Sequence, residues 1–326
     1  MNTFFCSDYA REVGEDLIGS ATNYETYILV ECPPPWTTDA FNSRWVPKNL
    51  HLLVEEIHNA KLPIRFLLIA NDVSHKTDQT TLLIYQKKPG LNNGYQKYEF
   101  QLPNIENVAG VVKKWLYNQT SDYQVYTDAT RDILVCTHGS HDKCCARYGN
   151  PFYFHATNTI SNLNLDNVRL WKSSHFGGHR FAPTAIDLPE ARYYGALDQD
   201  SLTSILTRTG DIKCLAKVYR GWGILPSQLQ VLEREIMLYH GWDWFNYKVS
   251  AKILEQSLDN NTFLAELSCK NADGSLYTYQ ATLVKDHTKS LKLKSTCNAT
   301  KESLLVKYAV VNLGLISTKV LSLSKY

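Results

Sequence analysis

The sequence predicts a mixed α/β protein: two successive β-α-β-β-β-α units, then an antiparallel β extension. Three observations predict it. Between residues 24 and 119, apolar runs of strand length alternate with amphipathic stretches of helical period. The same order of elements returns between about 131 and 210. From about Phe245 the helical period gives way to short alternating runs punctuated by turns. Two such units in tandem have the element order of a duplicated thioredoxin-like fold. The expected divisions are a first unit over 1–125, a second over 126–244 and a β-rich extension over 245–326.

Taken in order, residues 1–24 hold a short helix, Tyr9 to Leu17, ending at Gly19. YETYILVEC reads as a buried strand that stops at Cys32, because Pro33-Pro34-Pro35 cannot continue it. LHLLVEEIHNAK places Leu50, Leu53, Val54 and Ile57 at helical spacing. LPIRFLLIAND is the next strand, and TTLLIYQKK and YQKYEFQL form a hairpin across Pro89-Gly90 and Asn92-Asn93-Gly94. IENVAGVVKKWLYNQ is the closing helix. In the second unit, RDILVC is a strand ending at Cys136, with a long loop and a weaker helix after Pro151 beyond it. NVRLWKSSH is a strand ending at His175, and FAPTAIDL pairs with RYYGAL around Pro189-Glu190. DQDSLTSILTRTG is a helix with Asp and Ser at its start and Gly210 past its end. LPSQLQVLEREIMLYH is amphipathic, with Pro226 in its first turn. The extension reads as strands FLAELSCK, YTYQATLVK, SLKLKST and LLVKYAVVNLGLIS, and carries no motif with assignable chemistry.

Composition narrows the function. At 326 residues, 44% hydrophobic and 20% charged, the chain is ordinary for a soluble protein of two or three cores. A net charge of +2 with no Lys/Arg run argues against nucleic acid as partner. The N-terminal stretch lacks a basic region followed by an apolar core, so no signal peptide is expected. No apolar run approaches the roughly 20 residues that span a bilayer. A cytoplasmic location away from membranes is expected, and the Asn-x-Ser/Thr triplets at Asn118, Asn260 and Asn298 are then chance. Eight cysteines are too sparse for a disulfide scaffold.

Three of those cysteines fall between 136 and 145, where a metal or redox role is the better reading. VCTHGSHDKCCARYGNPF carries Cys136 and Cys145 as C-x8-C, and LWKSSHFGGHRF carries His175 and His179 around Phe-Gly-Gly. Cys136 and His175 end neighbouring parallel strands, whose carboxyl ends lie side by side, so the two loops should meet. Gly177 and Gly178 would let the backbone approach a bulky group. On the residues alone zinc comes first, since Cys2His2 sites are common, although eight intervening residues are too many for a Cys-x2-4-Cys knuckle.

These segments, with LVECPPPW, LPEARYYGAL and YRGWGILPSQLQVLERE, resemble the sucrase/ferredoxin-like family of thioredoxin-like [2Fe-2S] ferredoxins over roughly residues 6–240. Many relatives have a glycine in the proline run, which here is the plain CPPPW. The resemblance implies a [2Fe-2S] cluster held by Cys136, Cys145, His175 and His179, and hence a soluble one-electron carrier with an unidentified redox partner protein. Such a protein need not be an enzyme. Two imidazoles in place of two thiolates should raise the potential above the roughly −400 mV of plant-type ferredoxins and couple a proton to the electron. The competing class is a structural zinc-binding interaction module. A thioredoxin-type oxidoreductase is disfavoured because no Cys-x-x-Cys comes after a strand, and no carboxylate pair supports a sucrase.

The remaining candidates have plainer readings. Cys144 is expected to be a small buried residue, with exchange for Cys145 left open. His138 and His141 are expected to hydrogen-bond the ligands or face solvent, and Arg147 and Arg180 to stabilise a reduced cluster or face solvent. Tyr219, Arg220 and Trp222 form a signature with no derivable role. Cys32 and His75 loosely match Cys136 and His175, which makes the first unit a degenerate copy without a cluster. Cys6, Cys214, Cys269 and Cys297 are read as core residues.

Overall fold

The computed structural model describes residues 4–72, 79–125 and 130–319. His75 lies outside the described residues. The chain forms a large mixed sheet covered by helices and a second, antiparallel sheet of four strands. The first helix is α1, Cys6–Glu12, shorter and earlier than the expected Tyr9–Leu17. Gly14 at φ +67° turns the chain out of it, and Glu15 beyond is committed to a buried ion pair with Arg180.

The first unit runs β1 (Thr26–Glu31), α2 (Lys48–Asn59), β2 (Ile64–Ala70), β3 (Thr80–Lys87), β4 (Tyr95–Leu102) and α3 (Val108–Leu116). After β5 (Gln124–Val125), the second runs β6 (Arg131–Cys136), α4 (Lys143–Asn162), β7 (Val168–Ser173), β8 (Ala185–Leu188), β9 (Arg192–Tyr194) and α5 (Gln199–Thr207). Each unit pairs its first two strands in parallel and its third antiparallel to its first. The units meet edge to edge, β2 antiparallel to β7 at Ile69–Ser173 and Ala70–Lys172. With β10 (Tyr219–Trp222), this makes one ten-stranded sheet in the order β10-β9-β8-β6-β7-β2-β1-β3-β4-β5.

Both faces of the central strands are buried, which explains their unbroken apolar runs. Alternate residues of β1 show it. Tyr27 and Leu29 join the larger core with β6, α4 and α6 (Ser227–His240), while Ile28 and Val30 face α2 and α3. A buried ion network also ties the units together. Asp132 on β6 accepts from Tyr85 (2.5 Å), Lys97 (2.7 Å), Arg169 Nε (2.8 Å) and Trp171 Nε1 (2.8 Å), and Glu99 takes both Nη atoms of Arg169 at 2.8 Å.

Several expectations need correction. The stretch after Cys136 is not a long loop with a helix after Pro151; α4 starts at Lys143 and runs through that proline. Asp142 caps it, its Oδ1 accepting from Cys144 N at 2.9 Å, so nucleation occurs well before Pro151. In the extension, α6 leads to β11 (Lys248–Gln256), β12 (Thr262–Lys270), β13 (Leu276–Leu293) and β14 (Ser303–Lys319). The runs YTYQATLVK and SLKLKST are one long strand, β13, whose irregular register between Asp286 and Leu291 mimics a break. Strand β11 is an addition to those expected, paired along β12. Leu229, Leu232 and Ile236 of α6 belong to the same buried cluster as Phe263, Leu267 and Leu283 of this sheet, so the extension shares the main core. The left-handed position that ends α5 is Arg208, not Gly210.

Candidate metal centre

Cys136 closes β6 opposite Ser173, the last residue of β7, and Thr137 N donates to Ser173 O at 3.1 Å. His175 therefore emerges beside Cys136. Ser174 fixes it from below, exchanging backbone and side-chain hydrogen bonds with Leu68 of β2 at 2.8 and 2.9 Å. Cys145 comes from the first turn of α4. One turn further on, Gly149 lies so close to β6 that a Cβ there would stand 2.0 Å from Cys136 O. Glycine thus lets α4 press onto the strand end and set Cys145 beside Cys136. His179 sits on a single 3-10 turn after Gly177 and Gly178, both at positive φ.

The four residues fall into two overlapping sets that share His175. Cys136 Sγ and Cys145 Sγ lie 3.7 and 3.6 Å from His175 Nδ1. His179 Nδ1 lies 3.4 Å from His175 Nε2, and its Nε2 donates to Ser295 O at 2.6 Å. Both thiols are buried and both imidazoles half-buried. The donor atoms form an elongated array, with sulfur at the deep end and nitrogen toward the surface. His141, expected to hydrogen-bond or face solvent, stacks on His175 with centroids 4.0 Å apart; His141, His175 and His179 offer ring nitrogens within 4.8 Å of one another. Exposed His141 borders a groove of about 690 Å3 that also reaches Thr38, Phe41, Arg65, His138 and His175.

The electrostatics suit ligation. Burial pushes the Cys136 thiol up, but hydrogen bonds with Cys145 and the amides of His138 and Phe176 outweigh it and hold it below the usual thiol range. Cys145, hydrogen-bonded to that sulfur and buried, is pushed well up. Burial, with His141 and His179 adding repulsion, lowers His175 to about 2, and burial also lowers His179. Both imidazoles are held neutral, the form that binds a metal.

The surroundings meet some expectations and depart from others. His138 is a positioning residue: its Nδ1 accepts from His175 N at 3.1 Å, so its Nε2–H donates to Thr37 O at 2.7 Å. Arg147 and Arg180 do not point at the set. Arg180 pairs with Glu15, and Arg147 stacks over Phe5 at 4.2 Å. The guanidiniums that brace the histidine turn are Arg65, donating to His175 O at 2.7 Å, and Arg220, donating to Gly177 O at 3.1 Å and Ser20 O at 2.7 Å. Space above Gly178 is filled by Arg220, whose Cζ would stand 2.4 Å from a Cβ there, and is not left open for a cofactor. Arg220 thus gains the role that its sequence context does not supply. Arg65 and Ser295 are remote from the motifs and carry no local signal of theirs.

Cys144 faces away from this set, toward Cys6, Ser7, Asp142 and Cys297. Hydrogen bonds from Cys6 and Ser7, against the cost of burial, lower its thiol to about 6. Cys6 and Cys297 are therefore not plain core residues as expected, whereas Cys32 and Cys269 are buried in apolar clusters.

A family model described as sucrase/ferredoxin-like matches residues 17–221. The chain belongs to the sucrase/ferredoxin-like family, and its Cys/His groups could hold a metal. Comparison with curated proteins and with solved structures gave no match. No described helix is long and apolar enough to cross a membrane.

Proposed function

We propose that this protein is a one-electron carrier whose [2Fe-2S] cluster is held by Cys136, Cys145, His175 and His179. The observation that carries the reading is the elongated donor array, two buried thiols at one end and two neutral imidazoles at the other, joined through His175. A two-iron cluster has two ligand pairs along one axis, and this array offers them. When bound, the cluster supplies a one-electron couple with a potential above the roughly −400 mV of all-thiolate plant-type ferredoxins. The chain's part is to orient and insulate. Ser295 O holds the Nε2 proton of His179 and so leaves Nδ1 facing the site, as metal-binding histidines require. Arg65 and Arg220 clamp the histidine turn through its carbonyls. The Nε2 proton of His179 is the one whose loss would couple to oxidation, which makes proton-coupled transfer part of the reading.

The groove beside His141 is where a redox partner protein would approach. We further propose that the two units, 1–125 and 126–244, are a duplicated thioredoxin-like fold, given their matching strand pairings, with 245–326 as a β-rich extension. Eight free thiols fit a cytoplasmic setting. The rival reading, a zinc-binding interaction module, draws on both thiols lying within 3.7 Å of one nitrogen, as a single ion would favour.

Purification of the full chain without air decides between them. The carrier should be brown, hold iron and acid-labile sulfide in equal amounts and give a paramagnetic signal on one-electron reduction. A colourless, iron-free chain would overturn it. His179→Cys should lower the potential and flatten its dependence on pH; an unchanged slope removes His179 from the ligand set.

A further inference from the structure

A second cysteine cluster lies outside the candidate metal centre. Cys6 of α1, Cys144 of α4 and Cys297 of the β13–β14 loop bring three thiols together from distant parts of the chain. Their Sγ atoms are 3.5 Å (Cys6–Cys144), 3.3 Å (Cys144–Cys297) and 3.6 Å (Cys297–Cys6) apart, too far for disulfides. Asp142 Oδ1 stands 3.1 Å from Cys297 Sγ and 3.9 Å from Cys6 Sγ. All four donor atoms fall within 4.8 Å of one another.

That geometry has a chemical meaning. Sulfurs bound about 2.3 Å from a tetrahedral zinc stand about 3.8 Å apart, and the three edges here lie within about 0.5 Å of that value. The set is dressed with the donors that metal thiolates use. Ser7 N and Oγ point at Cys144 Sγ (3.5 and 3.2 Å), Cys6 N at Cys297 Sγ (3.5 Å), and the amides of Cys144 and Cys297 at the Asp142 carboxylate (2.9 and 3.0 Å). Three thiols beside a carboxylate make a weak packing motif, because S–H groups are poor donors and acceptors. Three soft ligands exclude magnesium and calcium and favour zinc, and four protein ligands leave no open position.

We propose that Cys6, Asp142, Cys144 and Cys297 hold a structural zinc ion. The ion fastens α1 and the β13–β14 loop to the head of α4. Its reach extends to the first site, because Ser295, which fixes His179, lies two residues before Cys297 in the same loop. The adjacent cysteines Cys144 and Cys145 thus serve two different centres.

The test is zinc and iron content of the full chain, desalted after expression with zinc, for wild type, Cys6→Ser, Cys297→Ser and Cys145→Ser. Wild type and Cys145→Ser should carry one zinc per chain. In Cys6→Ser and Cys297→Ser the zinc should fall about tenfold or more, with any iron retained. Zinc-edge X-ray absorption on wild type needs no variant, and should show three sulfurs and one oxygen. A wild type without zinc, zinc unchanged in both serine variants, or a shell of two sulfurs and two nitrogens would overturn the proposal. So would a disulfide among the three cysteines found after alkylation. Loss of zinc only in Cys145→Ser would place the ion at the first site instead, against both this proposal and the cluster reading.

Discussion

The two β-α-β-β-β-α units share strand pairings but differ in the segment after their first strand. In the second unit β6 ends at Cys136, and the next turn delivers Asp142, Cys144 and Cys145 on a helix pressed against the strand end. In the first, β1 gives way to Cys32 and three prolines, and Cys32 is buried in an apolar cluster that pushes its thiol up to about 12. Similar strand pairings therefore carry the metal-capable set in one unit and apolar packing in the other. Yet the first unit is not idle. Thr37 O and Thr38 O hold His138 and His141, and Arg65 holds His175 O, so the first unit forms a wall of the second unit's site. Joining the units through β2 and β7 makes this possible, because it turns the loops after β1 toward those after β6.

The sharpest way to break the comparison is to undo the close approach of α4 to β6. Gly149→Ala should gain about 1 kcal/mol of helix propensity. It must also push backbone away from a Cβ that would sit 2.0 Å from Cys136 O, a clash worth about 5 kcal/mol. The net expectation is loss of the proposed cluster and a large fall in melting temperature, read by visible absorption and calorimetry; a variant that keeps both would show that the contact does not set Cys145. Next in size is the network joining the units. Asp132→Asn should cost about 3–5 kcal/mol, measured by urea unfolding, because it removes the fully buried charge that faces half-buried Lys97 and Arg169.

The same network sets an acid limit. Burial pushes Asp132 and Glu99 up, but Arg169 and Lys97 outweigh it and leave both below the ordinary carboxylate range. The unfolded chain then takes up protons first, at about pH 4. Stability contributed by the pair is complete above about pH 5 and is lost as pH falls through the folded values. Unfolding free energies from pH 7 down to 3 should drop along this limb, and the drop should be shallower in Asp132→Asn.

How much of the molecule is legible in the chain depends on how local each signal is. Strand and helix order is legible because each element carries its own period, and Cys136 and His175 come together on paper because both end parallel strands. Cys144 and Cys145 are not separable: successive helical residues diverge by about 100°, but which one faces the strand depends on where the helix begins. Asp142 sets that start, and Pro151, which reads as a helix start, masks it. The Cys6–Cys144–Cys297 cluster spans most of the chain and has no local pattern. One signal is present, since Cys297 lies in the polar run KSTCNATKE, a poor setting for a core residue. Arg65 and Ser295 act on the histidine turn only through tertiary contact.

Smaller changes sharpen the division of labour between the units. Arg65→Ala removes a charged hydrogen bond to His175 O and should cost about 1.5–3 kcal/mol. Its informative readout is spectroscopic, because loosening the histidine turn from the first unit should shift the visible bands of the proposed cluster while metal content stays whole. Cys32→Ala should cost only about 1 kcal/mol, the loss of one small buried group, and leave metal content unchanged. Its structural counterpart Cys136→Ala should abolish metal at the first site. Cys136 closes its unit's first strand and Cys32 follows its own directly, and both are fully buried, so burial and position hardly separate them. The difference lies in the company each thiol keeps: a proline carbonyl 4.0 Å away for Cys32, against an imidazole nitrogen at 3.7 Å for Cys136. Equal metal loss in the two variants would mean that the first unit has a site of its own, and the comparison would fail.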